Sequence, residues 1–356
     1  MEQLEAYLTM RHRRGGFIPR KAIPQAARLA ISGPPGSGKT HLLLDRCRQH
    51  EGDALYLDLA DSRLQHATLA QELSALMTDR NITLLALDGW CDQLSLEILP
   101  PRVLLGCDDP RHVPPGFTHH RLWPLDFEEF LAFQKRADDP EGQFADYLRL
   151  GGLPELLGLD ELHRLRRYQE RLALMLPDPI ARHLYSYYLE RSGFSLSPHQ
   201  AYTALKSRIK ISKDKLYRLT HELIAAHQLI AIEKHGTDRA PQKLFGYDFA
   251  LRQAVTFQKA FSRTFEAMVS LELIKQGRHP LYADYIDALL PDENRAVIAL
   301  PFPTPESLQV RLAALGRSPL AERVEFVTMG FSYQRDEPRR TVEAVPFWEW
   351  ALREAA

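Results

Sequence analysis

The feature that most constrains this chain is an eight-residue glycine-rich stretch near its N-terminus. Residues 33–40 read Gly-Pro-Pro-Gly-Ser-Gly-Lys-Thr and match the pattern G-x-x-x-x-G-K-[ST]. The short run 28–32 precedes the stretch, and helical spacing of apolar residues follows it over 41–49. A strand, a glycine loop and a helix in this order are typical of the loop that cradles phosphate groups in nucleotide-binding proteins. The alternative is a glycine-rich turn with an incidental lysine.

The residue types in this stretch suit phosphate binding. Glycines let backbone N–H groups approach phosphate without Cβ clashes, and the N-terminus of the following helix adds partial positive charge. Lys39 is expected to reach the β- and γ-phosphates, and Thr40 is expected to hold Mg²⁺. The residues predicted to contact the nucleotide are Gly33, Pro34, Pro35, Gly36, Ser37, Gly38, Lys39 and Thr40.

Asp88 is the predicted second ligand of Mg²⁺. It ends the continuous apolar run 82–87, which is typical of a buried parallel strand, and P-loop proteins hold Mg²⁺ with an aspartate at that place. The next residue is Gly89, where many ATPases have a glutamate that polarises the attacking water. The sequence therefore predicts nucleotide binding and leaves hydrolysis open. Three aspartates could replace the missing glutamate: Asp58, Asp61 and Asp92.

The first part of the chain alternates between strand and helix patterns. Strands are predicted at 28–32, 54–59, 82–87 and 103–106, and helices at 41–49 and 64–77. This alternation predicts an α/β fold with a mainly parallel sheet and helices on both faces. The acidic and histidine residues between 108 and 120 lack metal-ligand spacing and lie among prolines, so we expect a solvated loop there.

The remainder of the chain changes character twice. From 126 to about 192 the pattern is helical, with breaks at Gly151–Gly152 and at 177–179. Two short helices and a strand are predicted between 193 and 236, and then a long helix, roughly 249–276, with further strands.

Composition limits the classes of protein to which the chain can belong. With 356 residues and 45% hydrophobic residues, it is expected to form two or three globular domains. Its net charge is −1, so any attraction to nucleic acid must come from a local patch. No apolar stretch is long enough to predict a membrane helix, and three cysteines without metal-like spacing predict a reducing, cytoplasmic location.

A local basic patch lies between 206 and 218. Six cationic residues stand there against one acid, Asp214: Lys206, Arg208, Lys210, Lys213, Lys215 and Arg218. A helix starting near Ser212 would bury Leu216, Leu219 and Leu223 and turn Lys213 and Tyr217 outward. This pattern predicts a DNA-recognition helix, and a docking module with solvated lysines is the alternative.

The chain resembles the prokaryotic AAA-type P-loop ATPases that carry a winged helix and a C-terminal domain related to PD-(D/E)XK nucleases. Four stretches carry the resemblance over nearly the whole chain: 33–40, Arg121–Phe130, Tyr147–Glu155 and Pro241–Asp248. The resemblance implies a P-loop ATPase core (1–125), a helical lid (126–192), a winged helix (193–240) and a nuclease-like α/β domain (241–356).

The resemblance also implies particular ligands and residues. It favours ATP with Mg²⁺ over GTP as the nucleotide. It places Pro154, in the Gly-Gly-Leu-Pro stretch, at a nucleotide-sensing turn, although a simple helix break is the alternative. A charge-stabilising arginine is expected at Arg121 or Arg111, and either could instead make a surface ion pair. Cys107 departs from the small polar sensor that the family has at that place.

The nuclease-like domain is expected to be degenerate. Glu266 and Asp287 match the family's carboxylate positions, but the strand 296–300 offers neither a carboxylate nor a lysine. Without that lysine the pair does not make a nuclease of this class, and we expect a domain used for contacts. Three hypotheses remain open: a nucleotide switch that controls a protein partner or DNA, a DNA-binding adaptor with structural nucleotide, and an active nuclease, against which the strand argues.

Overall fold

The computed structural model describes residues 4, 7, 18–21, 23–92, 94, 99–135, 138–237, 239–315, 320–337 and 340–355. The chain divides into two compact units: Met1–Trp123 with Ala225–His227, and Pro124–Ile224 with Gln228–Ala356. None of the helices in the described ranges is long and apolar enough to cross a membrane. The division into four domains stays a prediction.

The first unit is built on five parallel strands. They are β1 (Arg28–Ser32), β2 (Asp53–Asp58), β3 (Ile82–Asp88), β4 (Arg102–Cys107) and β5 (Thr118–Arg121). Their order in the sheet is β2-β3-β4-β1-β5, so β4 lies between β1 and β3. The predicted parallel α/β sheet is confirmed, and it is consistent with a P-loop NTPase fold.

Two helices cover opposite faces of this sheet, α1 (Lys39–Gln49) and α2 (His66–Asp79). One core cluster joins α1 to the strands and includes Leu29, Ile31, Leu42, Leu43 and Leu84. The other cluster joins α2 to them and includes Ala30, Leu55, Leu69, Leu73 and Leu85. Neighbouring strand residues such as Leu84 and Leu85 therefore face different helices, which explains the continuous apolar run of β3.

Strand β5 corrects the expectation of a solvated loop over 108–120. His119 and His120 lie on this strand, which pairs with β1, and a 3-10 turn at Pro110–His112 precedes it. The sequence Thr-His-His-Arg has no apolar run because β5 is an edge strand with exposed or half-buried side chains. Hydrophobic patterning cannot detect such a strand.

The second unit begins with four helices: α3 (Phe127–Gln134), α4 (Pro140–Leu150), α5 (Glu161–Met175) and α6 (Pro179–Glu190). The predicted breaks at Gly151–Gly152 and 177–179 are present. A three-stranded antiparallel sheet follows, in the order β6-β8-β7. Its elements are β6 (Ser195–Leu196), α7 (Pro198–Leu205), α8 (Lys213–Ala225), β7 (Leu229–Ile232) and β8 (Gln242–Gly246). This sheet therefore extends past residue 240.

The C-terminal part contains a six-stranded mixed sheet in the order β13-β14-β12-β11-β10-β9. Its elements are α9 (Phe261–Lys275), β9 (Leu281–Ala283), β10 (Ile286–Leu290), β11 (Arg295–Ala299), α10 (Pro305–Leu315), β12 (Arg323–Thr328), β13 (Tyr333–Glu337), β14 (Arg340–Pro346) and α11 (Phe347–Ala355). Strands β11, β12 and β14 run parallel, and the other neighbouring pairs are antiparallel.

The single helix predicted over roughly 249–276 is wrong. A 3-10 turn spans Phe249–Ala254, and α9 begins only at Phe261. The Asp248 side chain accepts the Ala250 N–H, and the Arg252 guanidinium donates to the Gln258 carbonyl. These side-chain bonds stabilise a non-helical connection that helix propensity alone does not predict.

A buried carboxylate links two of the four stretches behind the family resemblance. Asp248 accepts the N–H of Gly152 at 2.7 Å, and the Gly152 carbonyl accepts the N–H of Leu125 at 2.6 Å. At Gly151, φ is 80°, and an added Cβ would lie 2.5 Å from Asp248 Oδ1. A side chain there would displace the carboxylate, so this turn requires glycine.

Helix α9 contributes a second buried polar group. Glu272 accepts the N–H of Phe127 at 2.8 Å and the Tyr147 hydroxyl at 3.1 Å. Lys275 Nζ donates to the Leu125 carbonyl at 2.8 Å and to the Tyr147 oxygen at 2.9 Å. Helix α9 therefore holds the chain at 125–127 through charge-assisted hydrogen bonds, which are stronger than neutral ones.

The aromatic C-terminal segment packs inside the second unit. Phe347 contacts Phe127, Phe144 and Phe265 with ring centroids 5.5, 5.1 and 6.4 Å away. The Trp350 indole donates to Glu325 at 2.8 Å. The aromatic packing therefore extends beyond the C-terminal sheet to helices α3 and α4.

Glu272 makes the stability of the second unit depend on pH. Burial raises the pKa of Glu272 from 4.5 to about 7, against the opposing charge of Lys275. Between these values the folded chain keeps a proton that the unfolded chain has lost, so stability falls as pH rises. Across this pH window, the free energy of unfolding of the wild type should fall by up to about 3 kcal/mol relative to that of Glu272→Gln. Urea unfolding of both proteins measures the difference. A difference between the two proteins that does not vary with pH would contradict this.

Candidate functional site

The glycine-rich loop joins β1 to α1, and its backbone requires its glycines. Gly36 and Gly38 have φ of 83° and 101°, the left-handed region that L side chains rarely adopt. A Cβ on Gly33 would lie 2.4 Å from the Leu122 carbonyl oxygen. The loop therefore passes close to the chain that follows β5, and the first helical residue after it is Lys39.

The loop curls around the ammonium of Lys39, whose side chain is only 9% exposed. Lys39 Nζ donates to the carbonyls of Gly33 at 2.8 Å and Pro34 at 3.0 Å. Its third neighbour is the Asp108 carboxylate at 2.7 Å. The ammonium thus meets one anionic group, at the carboxyl edge of the sheet.

Asp88 lies beside Thr40, as the sequence predicts for two ligands of one cation. The Thr40 hydroxyl donates to Asp88 Oδ2 at 2.5 Å, and the Tyr56 hydroxyl donates to the same oxygen at 3.0 Å. Burial raises the pKa of Asp88. Gly106, its partner on β4, has to be small because a Cβ there would lie 2.8 Å from Asp88 Oδ1.

These oxygens fit the chemistry of Mg²⁺, a hard cation that prefers carboxylate and hydroxyl oxygens. Two donors at the site also lack partners among the described residues. The Ser37 hydroxyl and the Arg121 Nε are buried and have no hydrogen-bond partner there. Buried donors without partners are costly, so the site favours an added acceptor such as phosphate.

Arg121 ends β5 next to the start of the loop. Its guanidinium lies 3.4 Å from the Ser32 hydroxyl and 4.9 Å from the centre of the Trp123 ring. Burial lowers the pKa of Arg121 to about 10. The other candidate, Arg111, instead forms an ion pair with Asp109 and is half exposed. Of the two predicted arginines, only Arg121 lies against the strand that leads into the loop.

Arg20 is a site residue that the sequence interpretation missed. Its guanidinium donates to the Ser37 carbonyl at 2.8 Å and to the Trp123 carbonyl at 2.7 Å. It therefore joins the loop to the end of β5. No signal in the sequence could have identified it, because an isolated arginine in an irregular segment has many possible roles.

Of the three aspartates proposed as replacements for the missing glutamate, Asp61 and Asp92 have side-chain partners away from the loop, whereas Asp58 lies opposite Asp88 in the sheet. Asp61 is bound by Arg63, whose guanidinium holds the pKa of Asp61 well below its usual range. Asp58 accepts the N–H of Ala60, and Asp92 accepts the Trp90 indole N–H. Across the ranges that the structure describes, none of them has a hydrogen bond or ion pair with Lys39, Thr40 or Asp88.

Pro154 lies in the second unit, at the first position of a 3-10 turn that follows Gly151–Gly152. Its role as a nucleotide sensor stays a prediction.

Helix α8 buries the predicted leucines and exposes Lys213, whereas Tyr217, predicted to face outward, is half-buried. Leu216, Leu219 and Leu223 are buried, and Lys213 is exposed. Two of the six cations make ion pairs, Lys215 with Asp178 at 3.0 Å and Arg218 with Glu222 at 3.1 Å. Within the described residues, the other four are exposed and have no carboxylate partner: Lys206, Arg208, Lys210 and Lys213.

A second polar cluster lies in the second unit, where a lysine meets the predicted carboxylate pair. Lys243 Nζ, on β8, lies 2.6 Å from Glu266 Oε1 and 3.0 Å from Asp287 Oδ1. Asp287 also accepts the Ala299 N–H at 3.0 Å, and Arg263 pairs with Glu266 at 2.8 Å. The strand 296–300 supplies no lysine, and the lysine beside the pair comes instead from β8, a strand of a different sheet.

No protein-family model and no curated protein sequence matches this chain. Solved structures with partial similarity to it include the following two. A Signal Transduction ATPase with Numerous Domains (STAND) protein with a tetratricopeptide repeat sensor, from Pyrococcus horikoshii, has a TM-score of 0.25 at 14% identity. The match covers 70% of this chain and 44% of that one, so the chain spans less than half of that protein.

The second similar structure is Drosophila ORC bound to AT-rich DNA and Cdc6, with a TM-score of 0.20 at 13% identity. That match covers 64% of this chain and 84% of the other. Similarity at these TM-scores carries no argument about function, which has to come from the geometry of the site.

The Lys243 cluster predicts that removing one ammonium creates a cation site. In Lys243→Met, the buried Glu266 keeps only Arg263 and the half-buried Asp287 loses its ammonium partner, so a divalent cation that bridges the two carboxylates should stabilise the folded state. Ca²⁺ should raise the thermal midpoint of Lys243→Met and leave the wild type unchanged. Lys234→Met is the matched control, since Lys234 pairs with the exposed Asp284. Equal shifts in all three proteins, or persistence of the shift in Lys243→Met/Asp287→Asn, would contradict this.

Proposed function

We propose that the first unit binds ATP with Mg²⁺ in the loop 33–40 and acts as a slow, AAA-type nucleotide switch. The observation that carries the proposal is the buried Lys39 ammonium, which donates to two carbonyls of its own loop and contacts one carboxylate, Asp108, among the described residues. Phosphate is the ligand that a glycine loop, a helix N-terminus and a lysine can bind together.

Each residue has an assigned role in this proposal. Lys39 binds the β- and γ-phosphates, and the backbone of the loop surrounds them. Thr40 and Asp88 hold Mg²⁺, which when bound neutralises phosphate charge. Arg121 stabilises charge on the transferred phosphoryl group, and Pro154 senses the nucleotide. Gly89 offers no carboxylate, which supports slow hydrolysis.

In the same proposal, the second unit responds to the nucleotide. We propose that α3–α6 form the helical lid and that α7 and α8 with β6–β8 form a winged helix. The C-terminal sheet with α9 is a degenerate nuclease-like domain, in which Lys243 takes the place of a metal between Glu266 and Asp287. A protein partner or DNA would then respond to whether ATP or ADP is bound.

Replacement of Lys39 tests nucleotide binding. Lys39→Ala should weaken MgATP binding about 100-fold or more, because truncating a buried charged partner costs several kcal/mol. His41→Ala is the control, since His41 is an exposed residue of the same helix. Equilibrium binding of ATP and ADP measures the effect, and thermal melting shows whether each variant folds. Equal affinities in Lys39→Ala and the wild type would contradict the proposal.

A second function, DNA binding by the basic stretch 206–218, is favoured by its four exposed cations, of which Lys213 lies on α8 and the other three precede it. We propose that Arg208 and Lys213 contact phosphate, whereas Lys215 and Arg218 are occupied by acidic partners. Arg208→Ala/Lys213→Ala should weaken binding to duplex DNA and reduce the slope of log affinity against log salt by about 0.9 per lost contact.

The matched control for DNA binding is Lys215→Ala/Arg218→Ala, which also removes one lysine and one arginine. Fluorescence anisotropy measures both variants, and equal losses would contradict a specific role for the four exposed cations. A DNA affinity that differs between the ATP and ADP states would support the switch. An affinity independent of nucleotide would support an adaptor in which the nucleotide is structural.

A further inference from the structure

We propose that Asp108 is the carboxylate that polarises the attacking water during ATP hydrolysis. The inference rests on the proposed ATP binding and goes beyond it, because it assigns the water-polarising role that Gly89 cannot fill. Neither the glycine-loop motif nor the three aspartates considered from the sequence supplies this residue.

The backbone next to Asp88 explains why the role lies elsewhere. Gly89 has φ of 73°, a conformation that L side chains rarely adopt. A glutamate at this position would be strained, since long side chains are disfavoured in the left-handed region. Glycine therefore suits this position, and the carboxylate that polarises the attacking water has to follow a different strand.

Asp108 follows a strand that pairs directly with β1, the strand that leads into the loop. It follows Cys107, the last residue of β4, and β4 lies between β1, which leads into the loop, and β3, which carries Asp88. Its Oδ1 lies 2.7 Å from Lys39 Nζ, while its side chain is 59% exposed. A carboxylate at this place is close to the lysine and open to water.

The ammonium of Lys39 has three N–H donors. Two meet the carbonyls of Gly33 and Pro34, and Asp108 occupies the remaining direction. A γ-phosphate oxygen that binds Lys39 takes this direction and leaves the carboxylate beside the phosphate. Two anions side by side repel each other, whereas a water that donates to the carboxylate and turns its lone pair to phosphorus is favourable.

The neighbouring acid does not compete for the role. Asp109 forms an ion pair with Arg111 and accepts the Arg111 N–H at 2.9 Å. That guanidinium lowers the pKa of Asp109. Among the described residues, Asp108 is the carboxylate that contacts Lys39.

The chemical step balances with water as the co-reactant. The water oxygen forms a bond to the γ-phosphorus, and the bond from that phosphorus to the β–γ bridging oxygen breaks. The bridging electron pair stays on ADP, and one water proton passes to the Asp108 carboxylate, which later releases it to solvent. The products are ADP and inorganic phosphate.

The test compares Asp108→Asn with Asp109→Asn, two single-atom changes at adjacent positions. Single-turnover cleavage of ATP should fall about 100-fold or more in Asp108→Asn, the range expected for loss of a general base. Equilibrium affinity for ATP should stay equal or rise relative to ADP, since an acid that competes for Lys39 and repels the γ-phosphate is gone. Asp109→Asn should retain both properties, and thermal melting verifies that both variants fold.

Several outcomes would overturn the inference. A rate of ATP cleavage in Asp108→Asn equal to that of the wild type would do so. If that variant also bound ATP more tightly, Asp108 would only compete with the phosphate for Lys39. A wild type that binds ATP without cleaving it in a single turnover would also overturn the inference and leave the proposed binding intact. A wild type that binds no nucleotide would instead refute the proposed function itself.

Discussion

The buried ammonium of Lys39 sets the requirements for the first unit. A charge taken out of water is costly unless acceptors surround it, and here the acceptors are two carbonyls of the loop that carries the lysine and the Asp108 carboxylate. The loop reaches this shape through left-handed glycines and a close approach at Gly33. Strand β4 lies next to β1, and the residue that follows its end is Asp108.

Close packing also determines the positions of the two residues proposed to hold Mg²⁺. Asp88 reaches Thr40 from β3, and Gly106 on the intervening β4 leaves room for its carboxylate. Strand order, glycine positions and acid positions are therefore parts of one arrangement. In the second unit, Asp248 and Glu272 have a comparable role, because their carboxylates bind backbone N–H groups of segments far away in sequence.

The sequence allowed prediction of features that depend on local pattern. The loop, the apolar strands and the buried face of α8 follow from spacing that a few neighbouring residues define. Strand β5 was not predicted because its residues are polar. The break before α9 was not predicted because side-chain bonds of Asp248 and Arg252 produce it. The sequence did not predict the roles of three further residues, Arg20, Asp108 and Lys243. Their partners lie on other elements, and pairing across the fold leaves no periodic signal.

Hydrogen–deuterium exchange of the backbone amides of residues 33–42, with and without MgATP, tests the central claim most directly. The account predicts strong protection of these amides when MgATP is present, because the loop N–H groups would donate to phosphate. It predicts much weaker protection in Lys39→Ala under the same conditions. Unchanged exchange of this segment in the wild type at saturating MgATP would contradict nucleotide binding at the loop.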